Sequence, residues 1–285
     1  MGIIFGLLAA LSQAISYTFL KKSYEELPPS VAFLFDACFG LLIWVPFALI
    51  IGFNFSHLPL VAIFALISAL LSDAFVFYVL SKGEISITGT IFASYPVYTI
   101  LFSLFINHER LLPLHWLFVG VTILGTVIVS LPEKISRLEL RKKAIILWGL
   151  AGAMAVGLSD SLSKNVIDQT SAEAFLFALA FSQLPVALVY LKLEKQKLSQ
   201  FKDTLKKFNL YKFALIGSLI TVISVLFLWL AFQDTYASIA SPLTATYPGI
   251  MIILAYFFLK ERVKQKDLLG LIIIIFGIIG INYFY

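Results

Sequence analysis

Apolar residues run along the chain in long blocks separated by short polar breaks. Ten such blocks stand out, at 2–20, 30–52, 59–80, 85–106, 113–131, 144–163, 172–191, 211–232, 236–259 and 267–285. A helix needs about 20 apolar residues to cross a bilayer, so each block predicts one membrane-spanning helix. Most connections are a few residues long, which suits helices packed against their sequence neighbours. Two are longer, 132–143 and 192–211. In the second, Leu198, Phe201, Leu205 and Phe208 recur at helical spacing, with Lys202, Lys206 and Lys207 on the other side. Two readings stand there: a basic helix lying on an anionic membrane surface, and a solvated charged loop. No Lys or Arg precedes the first block. A secretory leader would carry a basic segment before a shorter core, so this block is expected to be the first spanning helix.

The blocks repeat. Shifting the chain by 152 positions lays Tyr95-Pro96 on Tyr247-Pro248 and Glu109-Arg110 on Glu261-Arg262. The same shift lays Ser72 on Ser224, Phe75 on Phe227, Ser86-Ile87 on Ser238-Ile239 and Gly125 on Gly277. Nearer the start the shift becomes 143, pairing Gly6, Ala10, Ser16 and Lys21 with Gly149, Ala153, Ser159 and Lys164. Abundant Ile, Leu and Phe can match by chance; Tyr-Pro and Glu-Arg at one offset with one separation do not readily do so. The repeating unit holds five helices, an odd number. Two consecutive copies must therefore cross the membrane in opposite directions. In transporters such inverted repeats flank a substrate site near the midplane.

Composition fixes the solvent. Of 285 residues 60% are hydrophobic and 13% charged, with a mean hydropathy of +0.97. A soluble domain holds roughly 45–50% apolar and about 25% charged residues, so much of this surface must face lipid. The net charge of +5 does not point to nucleic acid, because the basic residues sit between apolar blocks and report topology. Of the 21 Lys and Arg residues, all but Arg110 and Lys164 fall in or beside odd-numbered connections. The positive-inside rule then places odd connections in the cytoplasm and both termini on the other side. The expected location is the cytoplasmic membrane of a prokaryote. Cys38, the single cysteine, excludes an internal disulfide. With His57, His108 and His115 it shows no metal-ligand spacing, and no cofactor is expected. Asn54-Phe55-Ser56 is a glycosylation sequon in a very short connection, and carries no assigned role.

Ten helices in two halves, each with a small-residue first helix, a proline within the fourth and a Glu-Arg pair ending it, resemble the drug/metabolite transporter superfamily. The resemblance is to EamA-type permeases and covers essentially the whole chain. It implies a first EamA-like repeat at 1–131, a basic cytoplasmic linker at 132–143 and a second repeat at 144–285. It further implies a permease that does not hydrolyse ATP, and leaves the substrate open.

Candidate site residues follow from chemistry that lipid penalises. Asp73 lies well inside the third block, where an ionisable group is costly and marks function. It can carry a proton or pair with a cationic solute. Asp36 and Asp160 lie nearer block ends and are expected at headgroup level. Pro46, Pro96, Pro185, Pro242 and Pro248 interrupt helices, each removing a backbone donor. Pro96 and Pro248 match across the repeats and are candidate hinges. Tyr95 and Tyr247 precede them and are expected to approach the centre, with Ser94, Tyr98, Thr244 and Thr246 nearby. Gln13, Ser16 and Tyr17 in the first helix, Ser159 and Ser163 in the sixth and Gln183 in the seventh add neutral hydrogen-bonding groups. Trp229 is a candidate cavity wall. Glu109 and Glu261 are read as interfacial: helix ends, anchors or gate contacts. The fifth and tenth helices, poor in polar groups, read as scaffold or a homodimer surface.

A cavity that is neutral and aromatic with one carboxylate disfavours phosphate-rich cargo, which calls for basic partners. The first reading is a secondary transporter of small organic metabolites, amino acids or related amphipathic compounds, working by alternating access. The alternative is proton-coupled movement of an organic cation or drug. From another class, a lipid flippase or a membrane-embedded scaffold protein can use the same repeats. An enzyme would show convergent His, Asp or Glu residues, and none cluster.

Overall fold

The computed structural model describes residues 1–23, 27–75, 94–130, 143–199, 201, 208–259 and 265–284. Among them lie ten helical spans and no strand: α1 Gly2–Ser23, α2 Pro29–Ile51, α3 Leu58–Ser68, α4 Tyr95–Ile106, α5 Pro113–Ser130, α6 Lys143–Gln169, α7 Ala172–Leu193, α8 Phe208–Asp234, then α9a Ala237–Thr244 with α9b Tyr247–Leu259, and α10 Gln265–Phe284. Six described segments are long and apolar enough to cross a membrane: Gly2–Leu20, Pro29–Ile51, Phe55–Ala74, Ala172–Leu193, Tyr211–Asp234 and Ala237–Leu254. Large apolar side chains such as Leu42, Ile50, Phe105, Leu193 and Phe276 lie exposed on the outside. In water that surface would be prohibitive; in lipid it is solvated. The chain is an integral membrane protein.

The helices pack as an interlocked pair of halves. α1 packs on α8, and its repeat counterpart α6 packs on α3. α4 packs on α6, and α9a and α9b pack on α1. α3 meets α7 as α8 meets α2. The remaining large contacts, α2 with α7 and α5 with α10, join counterparts to each other. Exchanging the halves thus maps these packing pairs onto themselves.

Single residues obey the same exchange. A Cβ placed on Gly277 would strike Thr122, and one on Gly125 would lie 2.8 Å from the Ile274 nitrogen. Thr122 and Ile274 are counterparts at the 152 shift, as Gly125 and Gly277 are. Gly280 faces Phe118, and Gly270 faces Ile128 and Val129. As numbers rise along α5 they fall along α10, so these counterpart helices run antiparallel. α2 and α7 do the same: the Ser30 amide donates to Glu194 Oε2 (3.2 Å), and Gly40 lies against the Gln183 side chain. Counterparts running in opposite directions are what an inverted repeat requires.

Small residues set how closely the helices approach. On α1, Ala10 and Ala14 are fully buried, Gly6 faces Leu243 and Gly2 faces Thr235. On α6, a Cβ at Gly157 would lie 2.5 Å from the Tyr98 Cβ and 2.6 Å from the Thr99 nitrogen. Backbones this close are held by dispersion in lipid, where no hydrophobic effect drives helices together. The main apolar core gathers α2, α3, α7 and α8 around Phe33, Phe35, Trp44, Phe175 and Phe232. Phe201 stacks on Phe35, with ring centroids 4.3 Å apart. The rest of the basic segment that includes Lys202, Lys206 and Lys207 lies outside the described residues, as do the 131–142 connection and Glu261.

Asp36 is the eighth residue of the 23-residue α2 and is 4% exposed, packed among helices. Two expectations are corrected. Asp160 is 2% exposed, because α6 runs on to Gln169 and leaves it nine residues, about 13 Å of helix, from the end. Lys164 is a helix residue, not a connection residue. Its ammonium is satisfied inside the protein by Asp168 Oδ1 (2.5 Å) and the Phe232 carbonyl (2.6 Å).

Candidate functional site

In each half a described helix begins at the Tyr-Pro pair, and in the second half this follows a break in the fourth helix. In the second half α9a ends at Thr244, and α9b starts at Tyr247 with Pro248 as its second residue. In the first half α4 starts at Tyr95, with Pro96 second and Ser94 in a turn before it. Proline tolerates the first turn of a helix because the missing N–H would be unpaired there. Pro96 and Pro248 therefore each sit in the first turn of a helix, and at Pro248 the fourth helix of its half is interrupted outright, more than the kink expected from a proline within a continuous helix.

One polar centre forms where α4, α6 and α9a meet. Thr99 Oγ1 lies 3.0 Å from Asp160 Oδ2, and Ser241 Oγ lies 3.4 Å from the same oxygen and 3.1 Å from Thr99 Oγ1. The Tyr95 hydroxyl donates to the Ser241 carbonyl (3.4 Å). One turn along, the Ser103 and Ser161 hydroxyls are 2.9 Å apart, and Ser161 donates to the Thr99 carbonyl (3.0 Å). Asn107 Nδ2 donates to the Ser161 carbonyl (3.0 Å).

A second centre forms between α1, α2, α3, α7 and α8. After Ser68 the third helix widens into a π-turn, Ala69–Ala74, in which the Phe75 N–H reaches back to the Leu70 carbonyl. Such bulges are frequent at functional sites. This one carries Asp73, whose Oδ2 accepts from Gln183 Nε2 (2.7 Å). Gln183 Oε1 and Asp36 Oδ1 are buried without a partner, and the other interactions of Asp36 involve Ser218 and Asp73. Tyr17 hydrogen-bonds Gln13 and lies within electrostatic range of both Asp36 and Asp73. Gln13 Oε1 in turn accepts from Ser224 Oγ (2.8 Å).

The two centres meet at the tyrosines. Tyr17 sets its ring edge-on to Tyr247, centroids 5.1 Å apart. Tyr95 lies within electrostatic range of Asp160, Tyr247 and Tyr17. Asp73, Tyr95, Tyr247, Tyr17 and Gln13 thus form one connected region between the halves. The other sequence candidates divide. Tyr98 lies beside Gly157, on the flank of the first centre. Ser16 bonds the Gly217 carbonyl (3.0 Å) and Thr221 (2.6 Å), tying α1 to α8. Thr244 bonds the Ala240 carbonyl of its own helix (3.0 Å). Trp229 is buried edge-on against Phe175 and Phe232, at 4.8 and 5.3 Å, with Nε1 unpaired. Ser159 is buried, and its hydroxyl has no partner.

Sequence reasoning missed Asp160 as a site residue, although the repeat shift was available to place it. At 143 positions Asp160 is the counterpart of Tyr17, so it belongs at the same depth. Glu109 was also underread. Its Oε1 accepts from the Ala237 N–H (2.8 Å), and its Oε2 from the Ser238 N–H (3.0 Å) and hydroxyl. A carboxylate from the first half therefore caps the helix that leads to the break in the second, where first-turn N–H groups lack partners. Among the described residues no group of three His, Cys, Asp or Glu is placed to hold a metal ion.

Comparison with known proteins agrees with this architecture. A solved crystal structure superposes on 99% of this chain and 96% of its own with a TM-score of 0.75 at 16% identity, a likeness of fold. An uncharacterized protein of Methanocaldococcus jannaschii is 28% identical over 134 residues, 47% of this chain and 93% of the relative. That relative is therefore about one repeat long. The EamA-like transporter family matches twice, over 1–131 and 143–283. The chain is a two-domain member of the EamA-like transporter family, within the drug/metabolite transporter superfamily, and so a membrane transporter and not an enzyme.

Proposed function

We propose that the protein is a secondary transporter of small amine-bearing metabolites, amino acids and related amphipathic compounds first among them. One observation carries this reading. Asp36 and Asp160 are buried and Asp73 is half-buried between the halves, while Lys164 is the one buried Lys or Arg among the described residues and is already paired. Enclosed carboxylates with no basic partner among the described residues are costly, and a substrate ammonium group supplies the missing charge. Asp73 and Asp36 are the proposed ammonium contacts, with Tyr17, Gln13 and Gln183 as neutral hydrogen-bonding partners. Tyr95, Tyr98 and Tyr247 provide faces for the apolar part of the substrate and cation–π attraction for its charge. The unpaired Ser159 hydroxyl and Gln183 Oε1 are proposed to find partners on the substrate. Pro96, in the first turn of α4, and Pro248, in the first turn of α9b after the break, are the proposed hinges of alternating access. The basic connections support placing both termini on the non-cytoplasmic side of a prokaryotic inner membrane.

The same carboxylates favour an organic cation or drug as the second reading. A panel of labelled amino acids, polyamines, choline-type cations and organic phosphates in proteoliposomes separates them. Saturable exchange of amino acids supports the first reading, and exchange of cations lacking a carboxylate supports the second. Exchange of phosphates alone overturns both. Movement of labelled lipid in place of every soluble tracer identifies a flippase.

A further inference from the structure

Asp160 is the buried carboxylate that the proposed ammonium site does not use. It sits in the middle of α6, 2% exposed. Its hydrogen-bonding neighbours are two neutral hydroxyls, Thr99 from α4 at 3.0 Å and Ser241 from α9a at 3.4 Å. Among the described residues, the titratable groups on the elements packed around it are few. α4 presents Tyr95 and Tyr98, and α9b presents Tyr247. The π-turn after α3 carries Asp73, bonded to Gln183. Lys164, one turn along α6, is turned away onto Asp168 and the Phe232 carbonyl. α7 and α8 bring Glu173, Tyr190, Lys192, Tyr211, Lys212 and Asp234, all near helix ends. Among the described residues none of these cations interacts with Asp160, whose partners are Thr99 and Ser241. An ionised carboxylate so enclosed is costly, and hydrogen bonds from two neutral hydroxyls offset only part of that cost.

Placement adds a second, independent argument. Thr99 stands one turn into α4 from its first residue, Tyr95, and Ser241 stands in the last turn of α9a before the break at Tyr247. Asp160 therefore joins α4 from one half to α6 and α9a from the other, beside the point where the second repeat is interrupted. Repeat symmetry does not demand this. The counterparts of Asp160, Thr99 and Ser241 are Tyr17, Met251 and Gly89, which cannot form such a centre. By contrast, the glycine seam of α5 and α10 is duplicated.

We propose that Asp160, cradled by Thr99 and Ser241, takes up and releases the proton whose movement drives transport. An O–H bond forms on Asp160 when the site opens to one side. Shifting α4 and α9a away from α6 separates the hydroxyls from the carboxyl and admits water, and the O–H bond breaks toward the other side. This rests on the transport reading above, and its test separates the two. Purified protein is treated with dicyclohexylcarbodiimide, which adds a protonated carboxylic acid across its carbodiimide bond and rearranges to a stable N-acylurea. Peptide mapping should find the adduct on Asp160, declining as pH rises and equal in sodium and choline chloride. Thr99→Val, which removes a donor to the ionised form, should keep the adduct to higher pH. In proteoliposomes, the ratio of accumulation driven by a pH gradient to counterflow exchange should collapse in Asp160→Asn, read with a mixture of labelled amino acids and polyamines. Absence of the adduct at every pH, its suppression by sodium, or accumulation in Asp160→Asn equal to wild type would each overturn the proposal. Wild-type protein that exchanges none of the tracers sinks the amine reading, while the adduct still decides whether Asp160 holds the proton.

Discussion

The two halves share a scaffold and differ in their polar groups. Where they match, the matched residues pack. Gly125 and Gly277 let α5 and α10 touch, and each faces the counterpart of what the other faces. Where they differ, carboxylates appear. Asp36, Asp73 and Asp160 stand opposite Leu179, Val225 and Tyr17 in the repeat register. The third helix of the first half widens into a π-turn at Asp73, while α8 in the second half runs unbroken from Phe208 to Asp234. Duplication builds a frame whose halves pack alike, and the departures from duplication are where the proposed substrate contacts lie.

This contrast can be broken at matched positions. The largest effect is expected at the α6–α4 contact. Gly157→Leu drives a side chain into the Thr99 backbone and should abolish a monodisperse folded peak in size-exclusion chromatography. Its counterpart Ala14, fully buried on α1, should be as intolerant of Leu if the halves are equivalent scaffolds. Next come Gly125→Ala and Gly277→Ala. Overpacking costs about 1–3 kcal/mol, and the two should lower the thermal midpoint by similar amounts. Markedly unequal shifts would mean that the α5–α10 seam is not symmetric in energy.

Glu109→Ala leaves two buried N–H groups and a hydroxyl without their acceptor, a loss of about 1–3 kcal/mol. Thermal unfolding should register it, with Glu109→Gln intermediate because an amide oxygen still accepts. The smallest effects come from the matched serines. Ser16→Ala removes bonds to Gly217 and Thr221 and should cost about 1 kcal/mol. Ser159→Ala removes a hydroxyl with no protein partner. It should leave the thermal midpoint unchanged and raise KM for the transported solute. Equal destabilisation by both would mean that Ser159 is structural.

Much of the frame was legible in the sequence, because lipid enforces a simple code. Apolar length marks spans, and Tyr95-Pro96 against Tyr247-Pro248 marks the repeat. The site was legible only where a charge fell deep inside an apolar block, as Asp73 does. Asp160 escaped because Lys164 and Asp168 made the end of α6 look like a connection, when the two satisfy each other within the helix. Glu109 escaped because its partners lie 128 and 129 residues away in the other half. A cap of that kind has no local pattern. The π-turn has no sequence signature either, since it is a property of how α3 packs on its neighbours.

The central claim is that the unmatched carboxylates between the halves recognise a substrate amine. Counterflow exchange of labelled amino acids in proteoliposomes, compared between wild type, Asp73→Asn and Asp36→Asn, tests it most directly. The account predicts saturable exchange in wild type and its loss in both variants, with thermal midpoints held. Exchange that persists undiminished in both variants would contradict it.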